Sequence, residues 1–280
     1  VTAAEHGGEC IVPWWSFTKT VIAAAALTLV QDGWLRLDDT IDGQPYTLRQ
    51  LLQHRAGLAD YGTLPEYHAA VTRGDQPWSV PELLDRARST HLLYGPGMGW
   101  RYSNIGYLLV RQLIERQTDT GLDAALRRLV LDSVGVDDVR LASIPSDLAG
   151  VTMGEASSYH PGWVYHGLLV GPVRSAALLL DRLLVTGLLA AELQRQMLEP
   201  HIVGGPMEAR PWKTPGYGLG MMCGESEGGR HFAGHTGGGP GSVIAVYRRL
   251  ASGTSGSAAA FLAGGTPGQV ERAAFGLASR

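Results

Sequence analysis

The feature that most constrains the fold is a change of hydrophobic period near Pro200. Before it, apolar residues recur at helical spacing; after it they fall into short runs separated by glycine-rich turns. The first part predicts helices over Ser16–Gln31, Leu48–His54 (capped by Thr47), Val80–Ser89, Ile105–Gln117, Asp123–Leu131, Ser175–Val185 and Ala190–Leu198. Residues 59–79 read as loop with one helical turn, and 144–172, with Pro145, Pro161 and Pro172, as a long irregular stretch. The second part predicts antiparallel strands at Tyr217–Cys223, Arg230–Thr236, Ser242–Arg248 and Ala258–Ala263, then a helix over Pro267–Ser279. Helices followed by a meander and a closing helix imply an α/β protein, with a helical lobe beside a lobe built on an antiparallel sheet.

Composition excludes several classes. A net charge of −3 gives no basic field for nucleic acid. No apolar run reaches the roughly 20 residues a membrane-spanning helix needs. Cys10 and Cys223 read as free thiols. One bias is informative: of 23 basic residues only Lys19 and Lys213 are lysine, and Asn104 is the only asparagine. Where a chain avoids a residue type so consistently, the exceptions deserve scrutiny.

Three short elements carry chemistry. In Ser16-Phe17-Thr18-Lys19, positions i and i+3 share a helix face, so the hydroxyl and amine can meet at a helix N-terminus whose dipole favours a forming alkoxide. A buried lysine can lose its proton, whereas arginine cannot. The plainer reading is an N-capping serine followed by a surface lysine. Tyr102-Ser103-Asn104 follows a glycine-rich loop and opens a helix. A phenol whose pKa is lowered by neighbouring cations can act as a general base, and asparagine offers a donor and an acceptor; the plainer reading is a loop tyrosine with a capping asparagine. His235-Thr236-Gly237-Gly238-Gly239 joins a strand to backbone bare of side chains, against which a substrate can lie; the plainer reading is a hairpin turn.

Taken together, the order S-x-x-K, Y-x-N, H-T-G resembles the serine β-lactamase and penicillin-binding protein superfamily, in particular class C β-lactamase-like hydrolases and esterases. Leu51-Leu52-Gln53-His54-Arg55-Ala56-Gly57-Leu58, Pro96–Tyr107 and Gly234–Ser242 resemble further segments of that superfamily, so the likeness spans nearly the whole chain. It implies a β-lactamase/transpeptidase-like α/β fold: one domain over 1–280, with an antiparallel sheet flanked by N- and C-terminal helices in a lobe from about 1–20 and 200–280, and a mostly helical lobe over about 21–199. It also implies a serine hydrolase acting through an acyl-enzyme on small esters or on D-residue amides and peptides. Ser16 would be the nucleophile, with Lys19 and Tyr102 sharing acid–base duty. Asn104, His235, Thr236 and Gly237 would bind substrate, and the N–H groups of Ser16 and Gly238 would form the oxyanion hole. The expected partner is a small ester, amide or peptide; no cofactor or metal is implied.

The alternatives are a D-Ala carboxypeptidase or β-lactamase proper, and a catalytically silent penicillin-binding-like protein. His235 stands where many β-lactamases have lysine, which counts against efficient β-lactam hydrolysis. Fifteen residues precede Ser16, where relatives place a helix and a strand hairpin; either the sequence starts late or the sheet exposes an edge. The compartment stays open between bacterial cytoplasm and a periplasmic or secreted setting, and so does the oligomeric state. Among other residues, His54 reads as structural. His160, Trp163 and His166 read first as loop packing and second as cleft lining. Trp14 and Trp15 read as core, one of them a candidate wall for a pocket. No metal-ligand spacing and no G-x-S-x-G elbow is present.

Overall fold

The structure is a computed structural model that describes residues 7–154, 158–250 and 255–280. The chain opens with strand β1 (Ile11–Pro13) and a 3₁₀ turn (Trp15–Phe17) that leads into helix α1 (Thr18–Gln31). Helices α2 (Leu48–Leu52), α3 (Pro65–Arg73), α4 (Val80–Arg86), α5 (Asn104–Thr118) and α6 (Leu122–Leu126) follow, the last running into a π-helical turn over Arg127–Leu131. Strands β2 (Arg140–Ala142) and β3 (Leu168–Pro172) precede α7 (Val173–Val185) and α8 (Ala191–Leu198). The remainder is β4 (His201–Ile202), β5 (Trp212–Tyr217), β6 (Met222–Ser226), β7 (His231–Gly239), β8 (Ser242–Leu250), β9 (Ser257–Ala263) and helix α9 (Pro267–Leu277).

Strands β4 to β9 form one antiparallel sheet in sequence order, the arrangement that hairpin connections favour. A small antiparallel sheet, β1-β3-β2, lies apart from it. Helix α1 is apolar on nearly every face, with Thr18 to Leu27 all inaccessible to solvent, as a helix at the centre of a core must be. Its first turn is tied to two distant segments. The Thr18 hydroxyl accepts from the Leu169 N–H (3.1 Å), and the Thr20 hydroxyl donates to the Gly220 carbonyl (2.7 Å). On the other side of the sheet, α9 closes a second core around Trp212, Phe232, Tyr247 and Phe275. Phe232 and Phe275 stack with ring centres 3.9 Å apart; burying such a ring contributes about 1.5–3 kcal/mol.

The secondary structure corrects the sequence expectation at three places. The stretch 144–172 ends in β3, every residue of which is buried, so the apolar run Leu168–Val170 is a central strand of the small sheet. Residues 65–73 form a full helix, started by Pro65 and stopped by Gly74 in the left-handed region (φ 74°). The strand expected at Tyr217–Cys223 is two strands, β5 and β6, joined across Gly218–Met221. Cys10 and Cys223 are free thiols. Among the described residues no helix is long and apolar enough to cross a membrane.

Candidate active site

Ser16 sits in the 3₁₀ turn before α1, and neither that turn nor α1 has a side-chain N-cap. The capping-serine reading therefore fails. Trp15, immediately before it, has φ 44°. Such left-handed geometry is strained for a residue with a Cβ and is held by its surroundings. The Trp15 indole donates to the Ser242 hydroxyl (3.0 Å), and Gly237 and Gly239 of β7 leave room for the turn. A Cβ on Gly237 would lie 2.7 Å from the Ser16 amide nitrogen, and one on Gly239 would run into the Trp15 ring. The glycine run thus lets strand backbone press against the turn that carries Ser16.

Lys19 is fully buried, which excludes the surface-lysine reading. Its Nζ lies 3.1 Å from Ser16 Oγ and 3.1 Å from His166 Nε2, and sits over the Tyr102 ring, 5.1 Å from the centroid. Burial pushes its pKa well below the ordinary ammonium range, opposed by the charge of Asp60. A neutral amine beside a serine hydroxyl can accept that hydroxyl's proton. Tyr102 is also buried, and its phenol moves the other way: burial raises its pKa, the Ser16 hydroxyl offsets this in part, and Asp60 adds to it. The lowered phenol pKa expected from neighbouring cations is therefore not found: desolvation outweighs the lowering by the Ser16 hydroxyl. Among the described residues no aligned hydrogen bond reaches the Tyr102 hydroxyl.

Asn104 begins α5, but the cap is Ser103, whose hydroxyl accepts from Gly106 N–H (3.3 Å) and donates to the Ala59 carbonyl (2.7 Å). Asn104 is held by Asp60, which accepts from its backbone N–H (2.8 Å) and side-chain amide (3.3 Å). His54 packs its ring 4.2 Å from that of Tyr102 and accepts from the Ser103 N–H (3.1 Å). It therefore supports the tyrosine from behind. His235 donates from Nδ1 to the Thr236 carbonyl (2.7 Å), which makes Nε2 the acceptor for the Tyr217 hydroxyl (2.8 Å).

Two cavities meet at Ser16. One, of about 400 Å³, is lined by Trp15, Tyr61, Tyr67, Asn104, Trp163 and His166. The other, of about 530 Å³, is lined by Trp100, Tyr102, Met207, Arg210, His235 and Thr236. Ser16 and Gly238 belong to both. Asn104 and His235 therefore border different spaces on either side of the nucleophile. Asp60 was not singled out by sequence, because an acidic loop residue carries no motif or period; His166 and Trp163, read second as cleft lining, both line the first cavity. Trp15 walls the first cavity with Trp163, while His160 caps its own turn by accepting from Gly162 N–H (3.0 Å).

The buried histidines give a pH signature. Burial and the nearby Lys19 push His235 down to about 3 and hold His54 and His166 well below the usual imidazole range. Each is neutral in the folded protein and takes up a proton on unfolding once pH falls below about 6.5. Stability from these groups is complete above that pH and is lost as pH falls towards their folded pKa values, by up to about 1.4 kcal/mol per pH unit per histidine. Urea unfolding of His235→Gln between pH 6 and 5 should show a pH slope smaller by about that amount. An unchanged slope would mean that His235 is not a buried neutral imidazole.

An antiparallel sheet against a helical layer, with a serine–lysine pair where they meet, defines the fold group of the β-lactamases and penicillin-binding proteins. The Beta-lactamase family profile matches residues 5–277, and the chain belongs to that family. It is 29% identical over 167 residues to esterase EstB of Burkholderia gladioli, covering 52% of this chain and 41% of that protein. It is 28% identical over 138 residues to penicillin-binding protein 4* of Bacillus subtilis (strain 168), covering 45% and 29%. The chain thus matches less than half the length of either. The D-stereospecific amidohydrolase from a Streptomyces species superposes with a TM-score of 0.77 over 92% of this chain and 83% of that one, at 23% identity, a likeness of fold.

Proposed function

We propose that the protein is a serine hydrolase that works through an acyl-enzyme on small esters or D-residue amides and peptides, with ester hydrolysis foremost. The observation that carries this reading is the buried Lys19 amine 3.1 Å from the Ser16 hydroxyl. Lys19 takes the Ser16 proton as Oγ attacks the carbonyl carbon. The N–H groups of Ser16 and Gly238 stabilise the oxyanion, a role supported by the close approach of β7 to the Ser16 turn. Tyr102 gives its hydroxyl proton to the departing oxygen or nitrogen as the carbonyl re-forms and that bond breaks, and it recovers a proton from Lys19. Water then attacks the acyl-enzyme, giving its proton to the same pair, and Ser16 leaves reprotonated. Asp60 keeps Asn104 oriented, and Asn104 binds the acyl side, with His235, Thr236 and Gly237 on the other.

Covalent labelling tests the reading. A fluorophosphonate probe should add mass to the peptide containing Ser16. In a panel of p-nitrophenyl esters, D- and L-amino acid amides and nitrocefin, short-chain esters should turn over fastest and nitrocefin slowest. A folded protein that forms no adduct at Ser16 would be a binding protein on this fold.

A further inference from the structure

The second cavity contains Tyr102, the proton donor to the leaving group, so it is the leaving-group side; this assignment rests on the function proposed above. Among the described residues lining the two cavities, the one arginine or lysine is Arg210. Its charge is already engaged. Arg210 Nε donates to Glu271 Oε2 (2.8 Å), and Nη2 donates to Oε1 of the same carboxylate. Glu271 comes from α9 and is fully buried. It accepts further from the Trp212 indole (3.3 Å).

The same carboxylate reaches Thr236. A carboxylate oxygen only accepts, so the Thr236 hydroxyl donates its proton to Glu271 Oε1 (2.5 Å). Thr236 is left with oxygen lone pairs, one of them within reach of the Tyr247 hydroxyl (2.8 Å). His235 has likewise placed its N–H on a backbone carbonyl. A negatively charged leaving group would therefore meet an arginine already neutralised by Glu271 and a threonine without a free proton.

We propose that the site selects substrates whose leaving group is electrically neutral, an alcohol or an uncharged amine, against those bearing a free carboxylate there, and that Glu271 sets this selection by occupying Arg210 and Thr236. A leaving group bearing an uncharged N–H or hydroxyl substituent can donate to Thr236 and loses little on entry. A carboxylate would shed its water with no unpaired cation to replace it, since the one arginine lining the cavity is already paired with Glu271. Glu271 is thus a specificity-determining residue that acts through two others.

The test uses two phenylacetate esters that differ in one group, those of 3-hydroxybenzamide and 3-hydroxybenzoate. The intact protein should favour the benzamide ester in kcat/KM by about tenfold or more, and Glu271→Gln should move that ratio at least about tenfold towards the benzoate ester by freeing Arg210. Removing both charges, in Arg210→Met with Glu271→Gln, should leave the ratio within about threefold of the starting protein, because the pair was neutral. If Glu271→Gln does not fold, the ratio in the intact protein decides. A fluorophosphonate adduct on Ser16 with equal rates, or with turnover of neither ester, overturns the selectivity alone. Absence of both adduct and turnover overturns the hydrolase reading and the selectivity with it.

Discussion

In the Ser16→Ala protein, turnover of any ester is expected to fall by about 10⁴-fold or more and fluorophosphonate labelling to vanish. The fold should be unaffected, with Tm within about 2 °C of the parent. Both halves follow from the local geometry. Ser16 caps no helix, and its side-chain hydrogen bond to Lys19 is not the lysine's only one, since Lys19 also meets His166 at 3.1 Å. Deleting the hydroxyl therefore orphans no buried group. No other hydroxyl holds the same position against the lysine, so the covalent step has no substitute. Parent-level turnover in Ser16→Ala would sink the mechanism.

Lys19→Arg should be nearly as damaging as Lys19→Ala, each losing about 10³-fold in kcat. Arginine keeps the positive charge and cannot give it up at working pH. It would also bring a permanent charge to a site with no solvent access, between the rings of Tyr102 and Tyr107. Lys19→Met separates chemistry from packing. It keeps the volume and removes the charge, so it should match the alanine variant in rate while keeping Tm within about 3 °C of the parent. Retention of more than about a tenth of the rate by Lys19→Arg, a loss under about 1.4 kcal/mol, would make Lys19 a fixed charge and not a base.

How much of this was legible in the sequence depended on the range of the signal. The Ser16–Lys19 pair is local, because helical geometry alone brings i and i+3 together. The scarcity argument gave one functional neighbour and one surface residue. Lys19 lies buried beside Ser16, whereas Lys213 is exposed and paired with Glu225 at 2.9 Å. Scarcity points to function only where no other residue can do the chemistry, and a surface ion pair sets no such demand. Helix α3 carried its own start and stop in Pro65 and Gly74, so that signal was present and went unused. Strands β1, β2 and β3 were not legible: three to five residues are too few to establish a period, and the β3 run is apolar throughout because it is covered on both faces. Asp60 and Glu271, and the contact of His166 with Lys19, become visible only when distant segments meet. Each is defined by the partner it reaches, Asn104, Thr236 and Lys19, and no pattern along the chain encodes that.

The two cavities share Ser16 and Gly238, and each takes further residues from 100–104 and 235–240, but most of their walls come from separate lengths of chain. The walls of one come mainly from residues 61–71 and 159–166, and those of the other from residues 203–222. Substitutions in the parts of the walls that lie far apart and share no partner combine nearly additively in free energy. Selection can therefore reshape the acid half of an ester without disturbing recognition of its alcohol half, with the nucleophile as a fixed pivot between them. A gene of this kind can diversify like a lock with two independent sets of pins: changes accumulate in either segment, and recombination between the segments yields working pairings instead of broken ones.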